Sequence, residues 1–409
     1  MMKWLVLCAV FIALFFGPSP EQPSRHQSTQ LDPAFFDQAY RQAPMILPAR
    51  AGAIGGTVPH HLLAAPLIAA FFESLQPLEP RRVIVIGPDH LRRSRRPAVT
   101  TTGSWKTPYG TLSADTDAMS RLINAGLLTE DQALFDVEHS ISAITPFIRR
   151  SLPSAKIVPV LVNHRLSDEA ARTLAAALPL DEHTVIIASV DFSHYLPYAV
   201  ARFHDRKSRA TLSSGEVNDL KNLEVDSSES LAVFSYAARR IGAMSAELVA
   251  ASTGAELSGR PDTLEGTSYV LLRFSRGLRI NDATHTTLVY PYESRVHTAE
   301  DRFFRGYDDE VGQDKTSSTR LRGRQLLIDT LPGGAPHLSI TSSTIALHLP
   351  PVYPGLAAGV VTDASSITMY LFPIGGLPGF PKLLMDERAR GVLTSLHPEA
   401  LDGILHLPL

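Results

Sequence analysis

The chain has 409 residues, 44% hydrophobic and 19% charged, which supplies ample material for a buried core and excludes global disorder. Lys and Arg total 38 against 41 Asp and Glu, a net charge of -3 that gives no overall pull toward nucleic acid. The single cysteine, Cys8, excludes an intramolecular disulfide and any cysteine-built zinc or iron–sulfur site, so metal chemistry would fall to the 15 histidines and the carboxylates.

The first 20 residues form one unit. After Lys3, Trp4 to Phe16 are uninterrupted apolar side chains, closed by Gly17, Pro18, Ser19 and Pro20. A bilayer crossing takes about 17–25 apolar residues, so the run suits a secretory signal or short anchor. The expectation is an exported or membrane-anchored protein that associates with the membrane through its N-terminus; the competing reading is an N-terminal core helix. Residues 21–49 carry several Pro, Gln and Ser and read as a linker, with an ordered segment around Leu31–Tyr40.

Residues 50–280 read as an α/β domain. Arg82–Gly87, Lys156–Val162 and Thr184–Val190 are short β-branched runs that end at polar residues, the pattern of buried strands. Helices are expected over Ser113–Ala125, closed by Gly126, and over Ser167–Leu178, where Ser167 caps an acidic first turn. A third is expected over Ser228–Ile241 before Gly242, and Ala246–Ala251 and Thr267–Phe274 read as closing strands. Alternation of this kind predicts a central, mostly parallel or mixed sheet with helices on both faces. Residues 281–325 read as a linker, polar and charged from 293 onward. Residues 326–409 form a C-terminal extension rich in Leu, Pro and Gly, with strands expected at Ser339–Leu349 and Ser366–Phe372. His337, His348, His397 and His406 within it lack metal-ligand spacing.

Sites in open α/β sheets collect at the carboxyl ends of strands. Arg82–Gly87 runs into Pro88-Asp89-His90, Thr184–Val190 into Asp191-Phe192-Ser193-His194, and Ala53–Val58 into Pro59-His60-His61. One such histidine is commonly structural; three Asp/His-bearing strand ends on one sheet predict a shared site. Arg92, Arg93, Arg95 and Arg96 follow His90 and offer either carboxylate or phosphate recognition or a solvated loop beside anionic lipid.

Gly56-Thr57-Val58-Pro59-His60, Ile86-Gly87-Pro88-Asp89-His90, Glu138-His139-Ser140 and Ser189-Val190-Asp191-Phe192-Ser193-His194-Tyr195 occur in the order seen in the Memo family, which residues 50–275 resemble. Bacterial members of that family are known as AmmeMemoRadiSam system protein B. The resemblance implies a fold like that of the class III extradiol dioxygenases, a metal pocket, and a link to radical-SAM and AMMECR-type proteins. It also implies His60 and His90 as metal ligands, together with a cysteine that opens the helix after the last motif. Here Val225-Asp226-Ser227-Ser228-Glu229 stands in that place, and Asp226 falls on the cysteine position.

Two histidines and a carboxylate form the facial triad of non-haem Fe(II) sites, which leaves positions open for substrate and oxygen. Asp226 reads equally as a simple helix cap, with Glu229 a second candidate ligand and His61 a backup. By the same resemblance Asp191, His194 and His139 line the pocket as catalytic residues. His194 would carry a proton or orient a ligand, with Asp191 fixing its tautomer, and Tyr195 is expected to be a packing residue. The expected cofactor is a divalent metal, Fe(II) before Cu or Mn. Three functions compete: a dioxygenase-type oxidoreductase on a small, neutral or anionic substrate, a non-catalytic protein that binds a metal or peptide for a partner, and a metal-assisted hydrolase.

Overall fold

In the computed structural model, residues 26–277 are described apart from 196–197, 215–216 and 260–265, together with separate strand segments between 285 and 408. The strands of the first part, in chain order, are β1 (His26–Gln27), β2 (Ala53–Val58), β3 (Arg82–Pro88), β4 (Ala98–Thr100), β5 (Trp105–Thr107), β6 (Gly110–Leu112), β7 (Thr129–Glu130), β8 (Lys156–Val162), β9 (Thr184–Ser189), β10 (Ser245–Thr253) and β11 (Ser268–Ser275). Eight of them make one sheet in the order β10-β11-β2-β9-β3-β8-β4-β7. Its centre, β2-β9-β3-β8, is parallel, and β11 pairs antiparallel with both β2 and β10. The mixed α/β sheet expected from the alternating runs is the one found.

The central strands are apolar at nearly every position because both faces are covered. Toward one face, Ile84, Ile86, Val158, Val160 and Ile186 pack under α3 (Thr116–Asn124), α7 (Asp168–Ala177) and α9 (Ser228–Arg240). Toward the other, Val83, Val85, Ile157, Leu161 and Ile187 pack under α1 (Pro33–Arg41), α2 (Ala65–Ser74) and α6 (Thr145–Ser151). The remaining helices are the short α4 (Gln132–Phe135) and α5 (His139–Ser142), then α8 (Tyr198–Ser214) and α10 (Gly254–Ser258). Caps set the boundaries: Ser167 accepts from Ala170 N at the start of α7, and Asp115 from Ala118 N, so α3 opens at Thr116 rather than Ser113.

β2 reaches its place between β9 and β11 because of its glycines. A Cβ on Gly56 would stand 1.7 Å from the Leu272 carbonyl oxygen, and Gly55 has φ +112°. Ahead of β2, the segment read as a linker is attached to the domain. His26 is 2% exposed, its ring bonded at 2.7 Å to both Thr101 Oγ1 and Asp136 Oδ1, and Phe36 of α1 is fully buried. In the C-terminal part the strands include Pro336–Thr341, Ala346–His348 and Ser366–Pro373, belonging to two antiparallel four-stranded sheets. The apolar run of residues 4–16 lies outside the described residues; among those described, no helix is long and apolar enough to cross a membrane.

One buried acid ties stability to pH. Asp205 of α8 accepts a hydrogen bond from Ser268 Oγ of β11 at 2.5 Å, while its Oδ2 is buried with no hydrogen-bond partner among the described residues. Burial pushes its carboxyl from 3.8 up to about 7; Ser268 and Arg202 oppose the rise and Glu256 adds to it. The unfolded chain ionises first, so folding loses stability as pH climbs from 3.8 to about 7 and little further above that. Asp205→Asn should therefore melt several degrees above the wild type at pH 8 and lose that advantage at pH 4, in melting scans of both proteins. A difference that does not change with pH would show that Asp205 does not titrate on unfolding.

Candidate metal centre

Because β2, β9 and β3 are parallel neighbours, their carboxyl ends deliver three loops to one edge of the sheet. His60 follows β2, Asp191 follows β9, and His90 follows β3. Asp226 joins them from the turn before α9, where the backbones of Asp191 and Asp226 are tied: Asp226 N donates to Asp191 O at 3.0 Å, and Asp191 N to Asp226 Oδ2 at 3.1 Å.

The side chains converge on one oxygen. Asp226 Oδ2 lies 3.2 Å from His60 Nε2 and 3.4 Å from His90 Nε2. Asp191 Oδ2 is 3.5 Å from His60 Nε2, and its Oδ1 accepts from His60 N at 3.2 Å. The other ring nitrogens are also engaged, His60 Nδ1 with Ser189 Oγ at 3.3 Å and His90 Nδ1 with Glu138 Oε1 at 2.8 Å. His139, half exposed, stacks on His90 with ring centroids 4.6 Å apart and lies 5.3 Å from His60. Two sets of potential ligand atoms result, His60–His90–His139 and His60–Asp191–Asp226, each within 4.8 Å of one another and both using His60.

Burial raises the carboxyl of Asp226, but the hydrogen bonds to His60 and His90 outweigh it and hold the group well below the usual carboxylate range. Glu138 behaves alike: burial opposes ionisation, His90 overcomes it, and the group sits at about 2. The histidines answer in the other direction. Burial lowers His90, yet Asp226 and Glu138 lift it to about 10; His60 is raised against its burial by Asp191 and Asp226. His139 is held down by burial and by the two neighbouring imidazoles, which favours its neutral form.

Two atoms bound about 2 Å from one ion stand about 3–3.5 Å apart, the spacing that Asp226 Oδ2 keeps from both Nε2 atoms. Asp226 Oδ1 is buried without a hydrogen-bond partner among the described residues, and the nitrogen and oxygen donors suit a hard to borderline divalent cation. The residues present fit a metal. Asp226 is not the helix cap, because Ser227 fills that role by accepting from Ser230 N.

The other expected residues divide. Asp191 is turned to His60, a correction to the pairing with His194, which is half-buried and stands outside both ligand sets. Glu229 lies in the first turn of α9, also outside them. His61 Nδ1 bonds Tyr269 Oη at 2.7 Å, away from the cluster. Tyr195 is 67% exposed with φ +55°, a correction to its reading as a packing residue. Arg92, Arg93, Arg95 and Arg96 are exposed, while Arg82 is bound to Asp115 at the far end of β3.

Sequence reasoning did not single out Glu138. It accepts from His90 N at 2.8 Å and from Ser140 N at 2.9 Å besides holding the His90 ring, so one carboxylate caps α5 and aims Nε2 at Asp226. The approach depends on Gly87, where a Cβ would meet Ser140 Oγ at 2.7 Å. The available signal was an acid directly before the motif's histidine.

Comparison with known proteins agrees with the motifs. A family model described as Memo-like protein matches residues 35–267. A MEMO1 family protein from Methanopyrus kandleri is 30% identical over 240 residues, covering 54% of this chain and 83% of the relative. One from Pyrobaculum aerophilum is 26% identical over 234 residues, with coverage of 54% and 83%, and one from Methanothermobacter thermautotrophicus is 25% identical over 231 residues, with 53% and 83%.

Groups that orient a ligating histidine typically contribute about 10–100-fold in metal affinity. Glu138→Gln should lower affinity for a divalent ion by about that factor in a competition titration. Unchanged affinity would reduce Glu138 to a cap of α5.

Proposed function

The chain belongs to the Memo-like family, and on that premise we propose a metal-dependent oxidoreductase of dioxygenase type in which His60, His90 and Asp226 hold one divalent ion, Fe(II) in preference to Mn(II) or Cu. The observation that carries this reading is a single oxygen, Asp226 Oδ2, shared at 3.2 and 3.4 Å by two imidazole nitrogens while its twin is buried without a hydrogen-bond partner among the described residues. Bound there, Fe(II) would supply open positions for substrate and oxygen.

The chain's own residues prepare the centre. Glu138 takes the Nδ1 proton of His90 in a hydrogen bond and so leaves Nε2 as the ligating atom. Ser189 engages His60 Nδ1 in the same manner. Asp191 adds a second buried carboxylate beside His60, which raises the site's attraction for a cation. His139, neutral and half exposed, is placed to accept a proton from a substrate hydroxyl at the mouth. The apolar run Trp4–Phe16 supports a location at or beyond a membrane.

A second reading, a metal-holding protein without turnover, draws on the His60–His90–His139 set. With His139 on the ion, the group placed to accept a proton from substrate is no longer available.

The test is metal content after anaerobic loading with Fe(II), followed by oxygen uptake over a panel of phenols. His60→Ala, His90→Ala and Asp226→Ala should each fall to about a tenth or less of the wild-type iron content, and Ser227→Ala should keep its iron while losing about 1 kcal/mol of stability. Full iron content in Asp226→Ala would remove it from the ligand set and favour the second reading.

A further inference from the structure

A cleft of about 740 Å³ opens beside His60 and His139, well within the range of about 300–1,000 Å³ typical of small-molecule sites. One wall is α1 with Thr29 from the connection before it; the other is the turn from His61 into α2, and Ala143 and Leu257 also line the cleft. The α1 wall is held in place rather than lying loosely over the site. Phe36 is fully buried beneath it, and Thr29 Oγ1 is bonded to Ser142 Oγ at 2.7 Å.

The lining is chemically one-sided. Phe35, Ala39, Leu62, Leu63, Ala143 and Leu257 supply a carbon surface, and Leu63 remains 41% exposed at the lip. Its polar groups include the hydroxyl of Thr29 and the amides of Gln38 and Gln42. Among the described residues no Asp, Glu, Lys or Arg lines it, and the arginines that follow His90 are not part of the lining. Away from His60 and His139, a charged group would leave water here without meeting a counter-charge, a loss that an apolar body avoids.

We propose that this cleft binds an uncharged, largely apolar organic molecule, with its polar end at His60 and His139 and its body between α1 and the turn from His61 into α2. Its role as the substrate site rests on the dioxygenase reading; the ligand chemistry rests on the cleft alone.

Two fluorescent probes with the same ring system test this on the full chain, N-phenyl-1-naphthylamine and its sulfonated counterpart 8-anilino-1-naphthalenesulfonate. The uncharged probe should bind about tenfold or more tightly than the sulfonate. Gln38→Trp, which places bulk in the cleft from an exposed helix position, should weaken the uncharged probe by about tenfold or more, and Ala34→Trp, exposed on the same helix outside the lining, should leave it within about twofold. The N-terminal apolar run is present in every variant, so the difference between variants reports the cleft. Equal or tighter binding of the sulfonate, or wild-type probe binding by Gln38→Trp, would overturn the proposal. Iron content is measured on the same samples: protein that takes up the uncharged probe but no iron would retain the ligand chemistry and overturn the substrate role.

Discussion

Three carboxylates, those of Glu138, Asp191 and Asp226, lie within one cluster with side chains 1–7% exposed. Taking a carboxylate out of water costs several kcal/mol even after the protein relaxes around it, so such a cluster persists only where positive charge is held against it. His60 and His90 stand where that charge must be, and their raised proton affinity is the same electrostatic demand seen from the other side. A divalent cation answers it more fully than two protons do, and it uses the same Nε2 atoms, so protons and metal compete for one place.

The sheet's role is to make this arrangement rigid. Parallel strands bring three carboxyl ends level, and side chains packed on both faces keep them so. Two close approaches then fix the details: Gly56 lets β2 settle between its neighbours with His60 at its end, and Gly87 lets α5 come near enough for Glu138 to grip His90. The N-terminal segment completes the site differently, by lining the cleft beside His60 and His139 with Thr29, Phe35, Gln38, Ala39 and Gln42.

The parts of this arrangement visible in the sequence were those set by local pattern. Val83 to Ile86 and Val185 to Ile187 announce buried strands, and the polar residues that end them mark the site edge. Ser167 announces a helix start in the same local way. What stayed hidden depends on contacts across long stretches of chain. Asp226 reads alike as cap or ligand until Ser227 is seen to cap α9, which frees the aspartate to face two histidines from other strands. Glu138 meets His90 from 48 positions away, an encounter that no spacing rule contains. Residues 21–49 have a linker's composition, and the ordered segment expected around Leu31–Tyr40 is α1; what composition does not show is its attachment to the core through buried residues such as His26 and Phe36.

The central claim is that one ion joins His60, His90 and Asp226. Anomalous diffraction from crystals of the protein loaded anaerobically with Fe(II) tests it most directly. The account predicts a single iron peak about 2 Å from His60 Nε2, His90 Nε2 and a carboxylate oxygen of Asp226. Iron bound by the three histidines with Asp226 left hydrogen-bonded outside its reach, or no iron at this edge of the sheet, would contradict it.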